Sequence, residues 1–133
     1  GADIDFTPAP VSAVAAAKVE IGPEEGPVMV TVEYQIDPAR AAEFAVVMER
    51  TRRARLRQGA LSWGLFRDVA EPGRYVEYFV DENWVEHQRR LERFTAFDAG
   101  LRTRRLAFHL GAEPPVVRRY VADTLSSAPA TPL

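Results

Sequence analysis

One short stretch gathers the groups best able to do chemistry: Asn83, Trp84 and His87. An imidazole titrates near neutral pH, so His87 could hold a ligand or pass a proton, and an aromatic neighbour would suit a phenolic substrate. Each residue also has a plainer use. Asn83-Trp84-Val85-Glu86 has the pattern of a capping box opening a helix, Trp84 can anchor that helix, and His87 can make a structural hydrogen bond. No nucleophile–base pairing, phosphate-binding glycine loop or metal-ligand spacing accompanies them. The chain has no cysteine, and its two histidines are His87 and His109. Thiolate chemistry and disulfides are therefore excluded, and a histidine-rich metal site is not expected. The expectation is no intrinsic catalysis, no metal and no cofactor.

These residues need a scaffold, and the hydrophobic pattern specifies one. Val28 to Ile36 alternates strictly, with Val28, Val30, Val32, Tyr34 and Ile36 on one face and Thr31, Glu33 and Gln35 on the other. Asp37-Pro38 opens a helix in which Phe44, Val47, Met48 and Thr51 recur at helical spacing, and Gly59 ends it. Leu61 to Val69 reads as a strand with Leu61, Trp63 and Leu65 on one face. Glu71-Pro72-Gly73 turns it into a third strand over Arg74 to Val80. A second helix runs from Asn83 to about Phe108, with Leu91, Phe94, Phe97 and Leu101 as its apolar face, and Val116 to Ala122 is the last strand. The order βαββαβ is an α+β, ferredoxin-like plan, with one antiparallel sheet carrying both helices on one face. Its other face is left open and apolar, which calls for a partner.

At 133 residues the chain is long enough for one domain. Residues 1–27 read as a flexible, acidic, Pro-rich linker, 28–123 as the folded domain and 124–133 as a disordered tail. Residues 1–37 carry a net charge of −6 and residues 38–133 a net of +4, within a total of −2. That balance argues against nucleic acid as a partner. All sixteen bases after residue 37 are arginine. The clusters Arg50 to Arg57 and Arg102 to Arg105, interspersed with acids, read as solvated helix faces with local ion pairs rather than as a lipid-binding surface. No apolar stretch reaches the ~20 residues that span a bilayer, and no signal peptide is evident, so the chain as given is expected to be soluble.

Several ordered segments carry a family resemblance: Pro27 to Arg40, Arg52 to Ala60, Trp63 to Asp68, Pro72 to Glu77, Trp84 to His87 and Phe108 to Pro115. Together they resemble the C-terminal domain of major facilitator superfamily exporters of the transmembrane secretion effector type, related to enterobactin exporters. The resemblance spans about residues 3–120. It implies a dimeric α+β barrel like that of antibiotic biosynthesis monooxygenases, attached on the cytoplasmic side of the cell membrane after the last membrane helix. It also implies a homodimer through the sheet faces, contact with the membrane part of the same transporter, and a role in dimerisation, regulation or ligand sensing. The alternative is a small cofactor-independent monooxygenase-like enzyme. In either case the resemblance points to a cavity between sheet and helices for a small-molecule ligand, with Trp63, Tyr75, Tyr78, Trp84 and His87 as its candidate residues and Asn83, Trp84 and His87 as catalytic candidates. Many relatives place a second histidine six residues after the first. Here Arg93 stands there, which counts against haem or metal.

Overall fold

The computed structural model describes residues 19–125, so the expectations for the start of the linker and for the tail from Ser126 lie outside the described residues. The elements are β1 (Val28–Gln35), α1 (Ala41–Arg57), β2 (Ser62–Arg67), β3 (Arg74–Asp81), α2 (Trp84–Arg89), α3 (Ala96–Leu106) and β4 (Val116–Val121). All strand pairings are antiparallel, in the order β2-β3-β1-β4. This is the expected α+β ferredoxin-like sheet.

β1 lies at the centre of the sheet and buries the residues its alternation marks: Val28, Val30, Val32, Tyr34 and Ile36. α1 follows a 3-10 turn at Pro38–Arg40, where Asp37 accepts a hydrogen bond from the Ala39 amide at 2.9 Å. It packs Phe44, Val47, Met48 and Thr51 against the sheet and stops before Gly59, whose φ of 111° is easy only without a Cβ. Phe44 lies at the centre of an aromatic cluster, its ring 5.5 Å from Tyr34, 5.3 Å from Tyr75 and 5.6 Å from Phe108.

Three expectations change. First, the second helix is not continuous. α2 ends in a 3-10 turn at Arg90–Arg93, Phe94 is extended, and α3 begins afresh at Ala96. Thr95 and Asp98 form a reciprocal capping box there, a start signal hidden inside an apolar spacing that runs unbroken from Leu91 to Leu101. At Asn83 only half of the expected box exists: its side chain accepts from the Glu86 amide at 2.9 Å, while the Glu86 carboxylate turns to Arg89 and Arg93. Second, β2 is shorter than predicted, and Leu61 is exposed while Trp63 and Leu65 pack against the core. Third, the last part of the linker is docked. Glu25 accepts a hydrogen bond from the Trp84 amide at 2.8 Å and Pro23 one from the Val85 amide at 2.9 Å, so the segment supplies acceptors to the first turn of α2.

This docking leaves no room at Gly26, where an added Cβ would lie 2.4 Å from the Glu82 carbonyl oxygen and 2.6 Å from the Asn83 Cα. Gly26→Ala is therefore expected to cost about 1–3 kcal/mol by overpacking, read as a lowered denaturation midpoint. Amide exchange should rise first at Trp84 and Val85. A variant as stable as the parent would show that the docked segment contributes nothing to the fold.

Candidate functional site

Strand parity decides what faces the helices. The register pairs Tyr34 with Tyr75, Val32 with Glu77, Val30 with Phe79 and Val28 with Asp81. Side chains opposite one another across a ladder share a face, so Glu77 and Asp81 enter the helix-covered side with the core residues. Both are buried, at 0% and 2% exposure. Burying a carboxylate costs several kcal/mol unless it is paired and fully hydrogen-bonded, and each of these is.

Glu77 accepts hydrogen bonds from Tyr34 Oη at 2.9 Å, Trp63 Nε1 at 2.8 Å and Arg55 Nε at 3.0 Å. Burial works against its charge, but Arg55 at contact distance, aided by Arg105 and the Trp63 bond, holds its pKa below the ordinary value. Burial and the Glu77 charge push the Tyr34 hydroxyl well above its ordinary value, so it serves as a neutral donor. Asp81 accepts from Arg90 Nε at 3.0 Å and from a second Arg90 nitrogen, and it meets His87 Nδ1 at 2.8 Å. Against the cost of burial, the His87 and Arg90 bonds hold the Asp81 pKa down as well.

His87 has its other nitrogen engaged too: Arg119 Nε approaches Nε2 at 3.0 Å. An arginine can only donate, so Nε2 is the acceptor, the proton sits on Nδ1 and points to Asp81, and the ring is neutral. The network continues from Arg90 to Gln58 at 2.9 Å and from Gln58 to Asp98 at 3.0 Å, and Arg57 also pairs with Asp98. β4, α2, β3, α1 and the capping box of α3 are thereby joined in one chain of polar contacts.

Between the inner sheet face and the α2–α3 segment lies a cavity of about 370 Å³. Its walls are apolar at Val30, Val32, Phe79, Leu91, Phe94 and Val117, and its polar lining consists of Tyr34, Gln58, His87 and the five arginines 55, 90, 102, 105 and 119. A shallower depression lies among residues 22–26, Ala122 and Thr124. Among the described residues, no cluster of three His, Asp or Glu side chains is arranged to hold a metal.

Of the candidate site residues Trp63, Tyr75, Tyr78, Asn83, Trp84 and His87, it is His87 that lines the cavity. Trp63 and Tyr75 lie on the inner face but pack toward Glu77 and Phe44. Trp84 is buried with its ring 5.4 Å from that of His87, and Asn83 caps α2. Tyr78 alternates onto the opposite, open face, where its ring stacks on Phe66 at 5.7 Å. Arg93, at the position of the absent second histidine, bridges Glu86 and the Gln58 carbonyl. Glu77, Asp81, Arg55, Arg90, Arg105 and Arg119 were missed. The signal for the first two was present, since β3 places Glu77 and Asp81 in the same parity as Tyr75 and Phe79. For the arginines the local-pair reading holds at Arg52 and Arg53 with Glu49, and fails at Arg55 and Arg105, which turn inward.

Residues 5–127 match the family model described as transmembrane secretion effector. No curated protein matches the chain. Among solved structures it is similar to a candidate antibiotic biosynthesis monooxygenase from Caulobacter crescentus CB15, with 21% identity, 76% of this chain and 93% of that one covered and a TM-score of 0.61. A candidate monooxygenase of the same kind from Bordetella bronchiseptica gives 22% identity, 76% and 100% coverage and a TM-score of 0.61. SnoaB, a cofactor-independent oxygenase from Streptomyces nogalater, gives 20%, 77%, 97% and 0.54. At these identities the likeness establishes a common fold.

Because the pKa values of Glu77, Asp81 and Asp98 are all lowered in the folded protein, their stabilisation is fully present above the unfolded carboxylate range, about pH 4–4.5. It is lost as pH falls from there through the lower folded values. Glu77→Gln is expected to cost about 3–5 kcal/mol at neutral pH by leaving Arg55 without its carboxylate, and to flatten the acid limb of a stability–pH curve. Denaturation from pH 7 to pH 3 checks both. An unchanged acid limb would show that Glu77 is not ionised in the fold.

Proposed function

This chain belongs to the transmembrane secretion effector family, and we propose that it is the cytoplasmic accessory domain of an exporter. In that role it binds a small molecule between sheet and helices and pairs with a second copy through its open sheet face. The observation that carries the reading is the state of His87, whose two ring nitrogens are already committed, to Asp81 and to Arg119. A general base needs a lone pair free for the substrate, whereas a binding pocket needs only shape, apolar walls and a few oriented polar groups. The cavity has these. Among the described residues no helix is long and apolar enough to cross a membrane, and in this reading the membrane part of the exporter is the domain's other partner.

The dimer proposal rests on the outer sheet face. Met29, Phe66, Val116 and Tyr120 are all exposed there, beside the half-buried Val76, Tyr78 and Val80. These apolar side chains surround the ion pairs of Glu33 with Arg74 and Arg118 on the same face. Exposed apolar groups favour association, and the same face on a second copy would be self-complementary. Light scattering at micromolar concentration is expected to give twice the chain mass, and Phe66→Glu to shift it to the monomer. A monomeric parent protein would remove this half of the reading.

A second reading, a cofactor-independent oxygenase, draws on the fold shared with SnoaB and on the buried Asp81–His87 pair. Oxygen uptake in the presence of an anthrone-like or reduced-flavin substrate separates the two. Background rates are expected for both the parent and His87→Ala, while ligands of the cavity raise the melting temperature of the parent. Turnover that disappears in His87→Ala would favour the oxygenase instead.

A further inference from the structure

The charge inside the cavity is unbalanced. Five arginines line it and no carboxylate does. Arg55 and Arg90 are neutralised just behind the wall by Glu77 and Asp81. Among the described contacts, Arg102, Arg105 and Arg119 have no carboxylate partner. Arg105 is the informative one. It is only 6% exposed, one terminal nitrogen donates to Thr51 Oγ1 at 3.1 Å, and its Nε is buried with no hydrogen-bond partner. Burial and the nearby charge of Arg55 lower its pKa, and the charge of Glu77 and the nearby Tyr34 hydroxyl offset this only in part. Buried donors without acceptors are rare because each forfeits its hydration without replacement, at a greater cost when charged. Arg105, which also lines the cavity, therefore holds hydrogen-bonding capacity that its neighbours leave unused.

We propose that the cavity receives an organic anion, a carboxylate on an aromatic or similarly apolar body. Its charged group meets Arg105 at the inner end, and Arg102 and Arg119 stand at the rim. The remaining walls agree with that choice. Leu91, Phe94, Phe79 and Val117 form an apolar sleeve for the body of the ligand. A guanidinium buried in such surroundings binds a carboxylate more strongly than in water, because the local dielectric is low and the donors are already held in place. Arg102 and Arg119 are exposed, so they draw an anion toward the mouth without the burial cost that Arg105 carries. Inorganic anions would leave the apolar sleeve unfilled, and neutral ligands could accept a hydrogen bond from Arg105 but would leave its charge unbalanced. This inference rests on the proposed ligand-binding role of the cavity and narrows it to a charge class.

The test compares 1-naphthoate with its neutral isostere 1-naphthamide by calorimetry on the full chain, with decanoate to distinguish a ring from a flexible tail. Naphthoate is expected to bind about ten-fold or more tightly than the amide, the scale of a hydrogen bond to a charged group. Arg105→Gln should abolish that preference and Arg102→Gln should reduce it. Arg53→Gln, on the solvent side of α1 with its side chain 74% exposed, should leave it intact. If Arg105→Gln fails to fold, Arg102→Gln at the exposed rim still decides the outcome. A carboxylate preference that survives both cavity variants would overturn the inference. Equal binding of acid and amide, weakened alike by Phe94→Ala, would overturn it while leaving the cavity as a neutral-ligand site. Absence of binding by any of the three probes would overturn both this inference and the sensing role.

Discussion

Two carboxylates on the inner face of one strand set the terms for the rest of the molecule. Glu77 and Asp81 share their face with Tyr75 and Phe79, so folding the sheet necessarily carries them under the helices. Each must find cations there or the fold loses several kcal/mol. Arg55 from α1 and Arg90 after α2 answer this need, and the position of both helices is therefore specified by charge as well as by apolar packing. The guanidinium carbons of both arginines also lie 4.5 Å from the centre of the Phe79 ring, so the same cations pack against the core residue between the two carboxylates. Replacing such pairs with apolar side chains is often neutral for stability; what the pairs add here is a single allowed arrangement of helix on sheet.

The break in the second helix belongs to the same network. Asp98 caps α3 and also accepts from Gln58 and Arg57 at the end of α1. A continuous helix would have no free Thr95 amide for Asp98 to cap and no reason to bring the two helix ends together. The interruption also turns Leu91 and Phe94 toward the cavity rather than into the main core. The local rule that starts a helix thus shapes the site as well as the fold.

Chemistry at the site follows from what is satisfied and what is not. His87, the residue best suited by type for catalysis, is fully engaged and neutral, held between an acceptor and a donor. Arg105, unremarkable in a run of arginines, carries the unfilled hydrogen-bonding capacity. Residue type therefore points to His87 as the functional group, whereas the satisfaction of hydrogen bonds points to Arg105.

The sequence alone determined the strand order, the buried face of β1, the apolar stripe of α1 and the turn at Pro72-Gly73, because each rests on a period or a residue whose physics is local. Glu77 and Asp81 were legible in principle from the parity of β3, but a strand gives no sign of which face will be covered. Tyr78 shows the other side of that problem: one residue from Glu77 and Phe79, it faces the open side of the sheet, away from the cavity. The break at Thr95 was obscured by an apolar spacing that fits a continuous helix equally well. The inward turn of Arg55, Arg90 and Arg105 belonged to the tertiary structure alone. Their partners lie 22, 9 and 54 residues away, and for contacts made across the fold no local pattern distinguishes an arginine that enters the core from its solvated neighbours.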